Sequence, residues 1–277
     1  MVKKMTSYNN KYYAYYNLLY DPFVKNNSDE FIYESRDYKQ FTYRLNYLLN
    51  TKGIGLVTGN PGLGKTTSIR KVLSSLNKGL YKPIYISLTT LTNNEFIRQL
   101  LVSLGREPCH KKSDNVKEIQ KAIIDYAENK KITPVIVIDE ANYLSSSLLN
   151  DIKMIFNFKM DSCDKYVLIL VGLPSLSSSL AYSNQEPLRQ RIIMNYNFSG
   201  LNKEECRSYI EGKLEKAGGT ISILENQALQ ALMNASGCNP RVTNLILSNA
   251  LVIGEDKKMA NIDEEIMMAA INETYIL

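Results

Sequence analysis

The octapeptide Gly59-Asn60-Pro61-Gly62-Leu63-Gly64-Lys65-Thr66 constrains this chain more than any other feature, because it fits G-x-x-x-x-G-K-S/T. A loop of that kind works between a buried strand and a helix start. Its backbone N–H groups must turn inward onto phosphate oxygens, with the helix N-terminus stacked behind them. Both flanks are present: Ile54–Thr58 is a short apolar run, and Ile69, Val72, Leu73 and Leu76 form a helical stripe. A chance Gly-rich turn is the plainer alternative, and it accounts for neither flank. The reading places the loop backbone from Gly59 through Gly64 around the β- and γ-phosphates, with Thr67 in the following turn. Lys65 adds positive charge, and the Thr66 hydroxyl is placed to ligate a metal. ATP with Mg²⁺ is the expected cofactor.

The surroundings repeat this alternation. Ile84–Leu88, Val135–Ile138 and Val167–Val171 are short apolar runs without polar alternation, as suits strands buried on both faces of a parallel sheet. Helical stripes lie between them, through Phe96, Ile97, Leu100, Leu101 and Leu104, through Val116, Ile119 and Ile123, and through Leu148, Leu149, Ile152, Ile155 and Phe156. The expected fold class is α/β: a three-layer parallel-sheet nucleotide-binding domain over 51–200, then a small all-helical lid over 201–277. Residues 1–50 read as a tyrosine-rich extension and linker. In the lid, Asn202 with Glu205 makes a capping box, Gly218-Gly219 and Gly237 stop helices, Asn239-Pro240 starts one and Asp263 caps another.

Val135-Ile136-Val137-Ile138-Asp139-Glu140 runs a buried strand into two carboxylates at its C-terminal end, where open α/β sheets bind ligands. Asp139 is assigned to Mg²⁺, with Thr66, and Glu140 to orienting and deprotonating the attacking water. Two solvated charges are the plainer alternative. A nucleoside kinase would share the loop but requires a substrate pocket and an arginine-rich lid, so the Asp-Glu pair favours hydrolysis. Arg241, in the Gly237-Cys238-Asn239-Pro240-Arg241 turn, is assigned to the γ-phosphate. One of Arg189 and Arg191 is assigned to a neighbouring subunit's site, where it would stabilise transition-state charge. A plain surface position is the alternative for Arg241, and ordinary ion pairs are the alternative for Arg189 and Arg191.

Charge and cysteines narrow the partners. Among 277 residues, 33 Lys and Arg against 28 Asp and Glu leave +5, which permits a polyanion without demanding one. Cys109, Cys163, Cys206 and Cys238 form no CxxC pair and His110 is the single histidine, so a zinc site is not expected. No apolar run approaches the ~20 residues that span a bilayer. The expectation is a soluble, cytoplasmic chain with no membrane partner.

The phosphate loop, VIVIDEA, LILVGLP, LRQRI and GCNPR, taken in that order, together with Tyr20-Asp21-Pro22-Phe23 ahead of them, resemble the ExeA/GspA-like branch of AAA+ ATPases from about residue 15 to about 255. That branch contains membrane-anchored secretion ATPases and short helpers of DDE transposases related to MuB, TnsC, TniB and IstB. The chain stops after the lid without a membrane span, so the expectation falls on the helpers. The resemblance implies ATP-dependent assembly on duplex DNA as a homo-oligomer, ring or helical filament, with a DDE transposase as partner. One departure from the usual AAA+ pattern is Gly172, where many members carry a polar residue facing the γ-phosphate; Ser175 and Ser177 are the nearest substitutes. A secretion or envelope ATPase is the alternative function, and a slow ATP-binding switch is another.

For DNA, the expected contacts are Arg106, Lys111 and Lys112 in the Gly105–Asn115 loop, and Lys153 and Lys159 after the Asp-Glu pair. Solvated charge is an equally good account of these positions. Tyr8, Tyr12, Tyr13, Tyr15, Tyr16 and Tyr20 are expected to pack against a domain or subunit more than to stack on nucleic acid beside Lys11. Phe31–Tyr33 are candidates for adenine contact.

Overall fold

The computed structural model describes residues 12–24, 32–87, 91–158 and 164–275. They divide into two compact units: Arg36–Ser199, and the described part of Met1–Ser35 together with Gly200–Leu277.

The first unit holds five parallel strands, β1 (Gly53–Gly59), β2 (Tyr81–Ser87), β3 (Thr133–Asp139), β4 (Val167–Gly172) and β5 (Ile192–Phe198), in the order β2-β3-β4-β1-β5. Side chains along the central strands alternate in direction but not in polarity. Ile136, Ile138, Leu168 and Leu170 face one core, while Val135, Val137, Val167, Ile169 and Val171 face another. Each buried Val, Leu or Ile contributes roughly 1.5–3 kcal/mol, so both faces must be covered. Helices α4 (Asn93–Ser103), α5 (Lys112–Ile124) and α6 (Ser146–Ile155) supply Phe96, Leu100, Ile119, Ile123, Leu149 and Ile152 on one side. Helices α2 (Arg36–Thr51) and α3 (Lys65–Ser75) supply Phe41, Leu45, Leu48, Ile69 and Val72 on the other. The expected three-layer α/β architecture is the one that forms.

Two elements differ from the sequence expectation. Residues 36–50, read as extension and linker, lie in α2, whose apolar residues recur every three or four positions and pack on the sheet. Tyr43, Asn46, Tyr47 and Asn50 occupy the outer face and give the segment its polar look. Strand β5 was not expected at all. At the sheet edge it buries Met194 and Phe198 and exposes Ile193, Asn195 and Asn197, so its composition resembles a loop.

The second unit is helical: α1 (Tyr12–Tyr15), α9 (Lys203–Lys216), α10 (Asn226–Ser236), α11 (Pro240–Asp256) and α12 (Glu264–Tyr275). Its boundary chemistry forms as read. Asn202 and Glu205 make a reciprocal capping box, Gly237 ends α10 in the left-handed region, Asn239 caps α11 and Asp263 accepts from the Ile266 N–H at 2.8 Å. The Tyr-Asp-Pro-Phe segment is laced into this unit. Buried Asp21 accepts from Tyr12 Oη (2.5 Å), the Phe23 N–H (2.8 Å) and Ser248 Oγ (3.1 Å), and Lys213 Nζ donates to the Pro22 carbonyl (2.7 Å). Tyr16 is buried in the same core, and Tyr12, Tyr13 and Tyr20 pack against it. Tyr8, Lys11, Phe31 and Cys163 lie outside the described residues. Among the described residues no helix is long and apolar enough to cross a membrane.

Candidate nucleotide site

Strand β1 ends at Gly59 and α3 begins at Lys65, so the phosphate loop lies where the sequence puts it, at the C-terminal edge of the sheet. Gly62 and Gly64 stand at φ 84° and 90°, the left-handed region that glycine adopts without a Cβ penalty. Gly64 is also the residue just before α3, so the loop N–H groups and the helix N-terminus face the same space. Lys65 Nζ donates to the carbonyls of Gly59 (2.7 Å) and Asn60 (2.8 Å), which holds the ammonium over the loop. Thr58 Oγ1 donates to Asn197 Oδ1 at 3.0 Å and ties the loop's entry to β5.

The second half of the site centres on buried Asp139. Its Oδ2 accepts from Thr66 Oγ1 (2.9 Å) and from Tyr85 Oη (2.6 Å), and its Oδ1 accepts from the Glu140 N–H (2.8 Å). The structure thus brings the end of β3 against the first turn of α3, as the assigned pairing of Thr66 and Asp139 requires. Hard oxygens so close together fit Mg²⁺, which keeps most of its shell for water and phosphate. When bound, the ion neutralises charge on the transferring phosphoryl group. Glu140 is exposed at φ 58°, ψ 32°, a left-handed non-glycine conformation costing about 1 kcal/mol or more. It is held by the Tyr143 N–H on its carbonyl at 3.0 Å, which stops the strand and leaves the carboxylate in solvent beside Asp139. An exposed carboxylate next to one that could hold a metal is suited to accept a proton from water.

Two site residues escaped the sequence reading. Tyr85 comes from β2, whose Ser87 is in register with Asp139. Burial first, then the bond to Asp139 and the nearby carboxylates, push its phenol above the ordinary value, so it stays a donor. Nothing in an isolated tyrosine within an apolar run marks it. The other is Asn142. A Cβ on Gly172 would stand 2.9 Å from Asn142 Oδ1, which also accepts the Leu173 N–H at 3.1 Å. The polar group at the end of β4 therefore comes from the turn after β3. Ser175 and Ser177 lie in α7 (Pro174–Ala181), whereas the side chains nearest Gly172 are those of Asn142 and Leu176.

The arginines separate. Arg191 is tied inside the α/β unit, donating to the carbonyls of Lys153 (3.3 Å) and Phe156 and to Tyr166 Oη (3.2 Å). Arg189, at the end of α8 (Glu186–Arg189), is exposed and donates to the Ala181 carbonyl at 3.0 Å. Arg241 belongs to the helical unit, exposed in the first turn of α11, with its N–H on Asn239 Oδ1 at 3.0 Å. Of the basic residues expected at DNA, Arg106 pairs with Asp125 (3.4 Å) and Lys112 with Asp151 (2.6 Å). Lys153 donates to the Asn184 carbonyl (3.3 Å), and Lys111 is exposed just before α5. Lys159 lies outside the described residues.

Residues 48–180 match the AAA domain family. The chain is 30% identical over 250 residues to General secretion pathway protein A of Aeromonas hydrophila, an alignment covering 87% of this chain and 44% of that protein. It therefore spans less than half the length of this relative. Among solved structures, Cdc6p from Pyrobaculum aerophilum superposes with a TM-score of 0.68 at 16% identity, over 91% of this chain and 70% of that one. The Aeropyrum pernix ORC1 protein in complex with DNA gives 0.63 at 16% identity, over 91% and 68%. The fold is that of an AAA+ P-loop NTPase, and residues 48–180 carry the match to the AAA domain.

Proposed function

We propose that this AAA+ ATPase hydrolyses Mg-ATP at the Lys65, Thr66, Asp139 and Glu140 cluster to assemble as a homo-oligomer on duplex DNA, and so helps a DDE transposase engage its target. The observation that carries the hydrolytic part is the convergence of Thr66 and Tyr85 on Asp139 with Glu140 beside it. In this mechanism the loop backbone and Lys65 would bind the phosphates, and Thr66 and Asp139 would hold the ion. Glu140 takes a proton from the attacking water, and Asn142 is the polar group offered at the end of β4. Arg189 supplies the guanidinium given to a neighbouring subunit, because Arg191 is occupied within its own unit. Arg241 reports the γ-phosphate to the helical unit.

The DNA part is supported by a net charge of +5, by the DNA-bound ORC1 neighbour and by the motif order that resembles transposition helpers. Lys111 is the basic residue best placed to contribute a phosphate contact, since Arg106 and Lys112 are engaged in ion pairs. The test is anisotropy of labelled duplex DNA with ATP, with ADP and without nucleotide. Binding that is tight, salt-sensitive and confined to ATP supports the reading, and Lys65→Ala should abolish it. Absence of binding in every condition removes DNA from the account. The 30% identity to a general secretion pathway protein favours a second reading, in which the ATPase drives a cell-envelope partner. ATP turnover that ignores DNA, in cells whose membrane fraction retains the protein, would select it.

A further inference from the structure

We propose that the groove between α2 and the edge strand β5 binds single-stranded nucleic acid, stacking bases on Tyr43 and Tyr47 beside the Arg44 guanidinium. The groove has a volume of about 310 Å³ and is lined by Tyr43, Arg44 and Tyr47 of α2 with Ile193 and Asn195 of β5. It is separate from the nucleotide site. Met194 is in register with Gly55 whereas Phe198 is in register with Gly59, so the two lie about 13 Å apart along the strand at ~3.3 Å per residue.

Three features define what the groove accepts. Tyr43 and Tyr47, one helical turn apart, are 76% and 57% exposed, and Ile193 is 47% exposed. Two phenol rings and an aliphatic chain left in water offer apolar surface of the kind on which unpaired bases stack. The exposed charge on α2 has one sign, and Asp164 is the carboxylate near Ile193 on the β5 side. The exposed positions of α2 hold Arg36, Lys39 and Arg44, and its single carboxylate, Asp37, is turned inward to accept from Tyr196 and Ser199. Finally, Arg44 is held in place. Its guanidinium carbon lies 5.4 Å from the centre of the Tyr196 ring, and one N–H reaches the Asn195 carbonyl at 3.4 Å. A guanidinium carries five N–H donors, so this anchoring leaves others for a phosphate.

A second copy of the chain fits this face less well than a polyanion does. The chain carries +5, so a copy would bring more cations to a surface already lacking exposed carboxylate on α2. Duplex DNA fits less well too, since its bases are stacked on each other and cannot lie on the rings. The site uses no residue of the phosphate loop. Binding here is therefore independent of ATP and stands apart from the ATP-dependent duplex assembly proposed above.

The test uses full-length protein and fluorescein-labelled oligothymidylate, followed by anisotropy in EDTA without nucleotide. Tyr43→Ala and Tyr47→Ala should each weaken binding about tenfold, and Tyr43→Phe should retain it, because the ring face and not the hydroxyl is used. Arg44→Ala should flatten the log–log salt dependence by about 0.7. ATP turnover should stay unchanged in all four variants. The proposal is overturned if the wild-type chain leaves the oligonucleotide free, or if both alanine variants bind it as the wild type does. It is also overturned if free thymidine monophosphate competes as well as the oligomer, which makes this a mononucleotide pocket. Altered sedimentation without altered oligonucleotide affinity would make it a contact between copies. Loss of ATP-dependent duplex binding alone would leave this site standing.

Discussion

Replacing Tyr85 by Phe removes one oxygen from the site and tests how Asp139 is held. Asp139 has about four lone-pair positions, and three are taken by Thr66, Tyr85 and the Glu140 N–H. When Thr66 turns to the ion, its bond to Asp139 is surrendered, and Tyr85 becomes the side-chain donor that keeps the carboxylate aimed. A hydrogen bond to a charged group contributes roughly 1.5–3 kcal/mol. Tyr85 is 45% exposed, so water competes and about 1 kcal/mol is the better figure. That corresponds to about a fivefold rise in the Mg²⁺ concentration needed for half-maximal ATP binding. A fluorescent ATP analogue titrated across a Mg²⁺ series reads this directly, and the same titration in EDTA should show no difference between variant and wild type. Turnover at saturating Mg²⁺ should fall by less than the half-saturation shifts, because Glu140 is untouched. A half-saturation unchanged or lower in Tyr85→Phe would refute the argument, since it would mean that Tyr85 competes with the ion instead of aiming its ligand.

Asp37→Ala should destabilise the α/β unit by about 3 kcal/mol, because it strips the acceptor from Tyr196 Oη and from the Ser199 N–H in a buried setting. At a slope of ~2–3 kcal/mol per molar urea, the unfolding midpoint should drop by about 1 M. Gly172→Ala should lower turnover more than stability: the new methyl pushes Asn142 off the end of β4 at a cost of about 1–3 kcal/mol, read by comparing kcat with the urea midpoint. Alkaline pH should weaken the fold. Burial chiefly holds the Tyr12, Tyr85, Tyr196 and Tyr209 phenols above the ordinary 10.0, and Tyr16 is pushed up to about 12. The folded chain thus keeps protons that the unfolded chain releases, so this stability is intact below pH 10 and is lost as pH climbs toward the folded values. A urea midpoint that does not move between pH 9 and pH 12 would contradict that linkage.

The sequence carried the centre of the site and lost its periphery, for physical reasons. A phosphate loop has to be local, because its N–H groups are consecutive, and Asp139 has to end a buried strand; both leave a contiguous signature. Tyr85 and Asn142 act through space, from a strand paired to β3 and from a turn filling the room above Gly172, so one-dimensional spacing does not display them. The arginines illustrate the same limit. Arg189 and Arg191 stand two residues apart in the sequence, yet one faces solvent and the other is spent on Phe156 and Tyr166. Strand β5 and helix α2 were obscured because each shows water a row of amides and tyrosines while its apolar residues face inward.

Asp21 accepts from Ser248, a partner 227 residues further along the chain. During synthesis the Tyr-Asp-Pro-Phe segment leaves the ribosome 227 residues ahead of Ser248 and must wait for that partner. The α/β unit, complete in sequence by Ser199, can form in that interval. The strap then closes last, and closing a loop of that length carries an entropy cost that only the finished helical unit can offset. A chain trimmed at the front to remove its tyrosines would lose Asp21, Phe23 and Tyr16 from the helical core. It would emerge with a working phosphate loop and an incomplete helical unit.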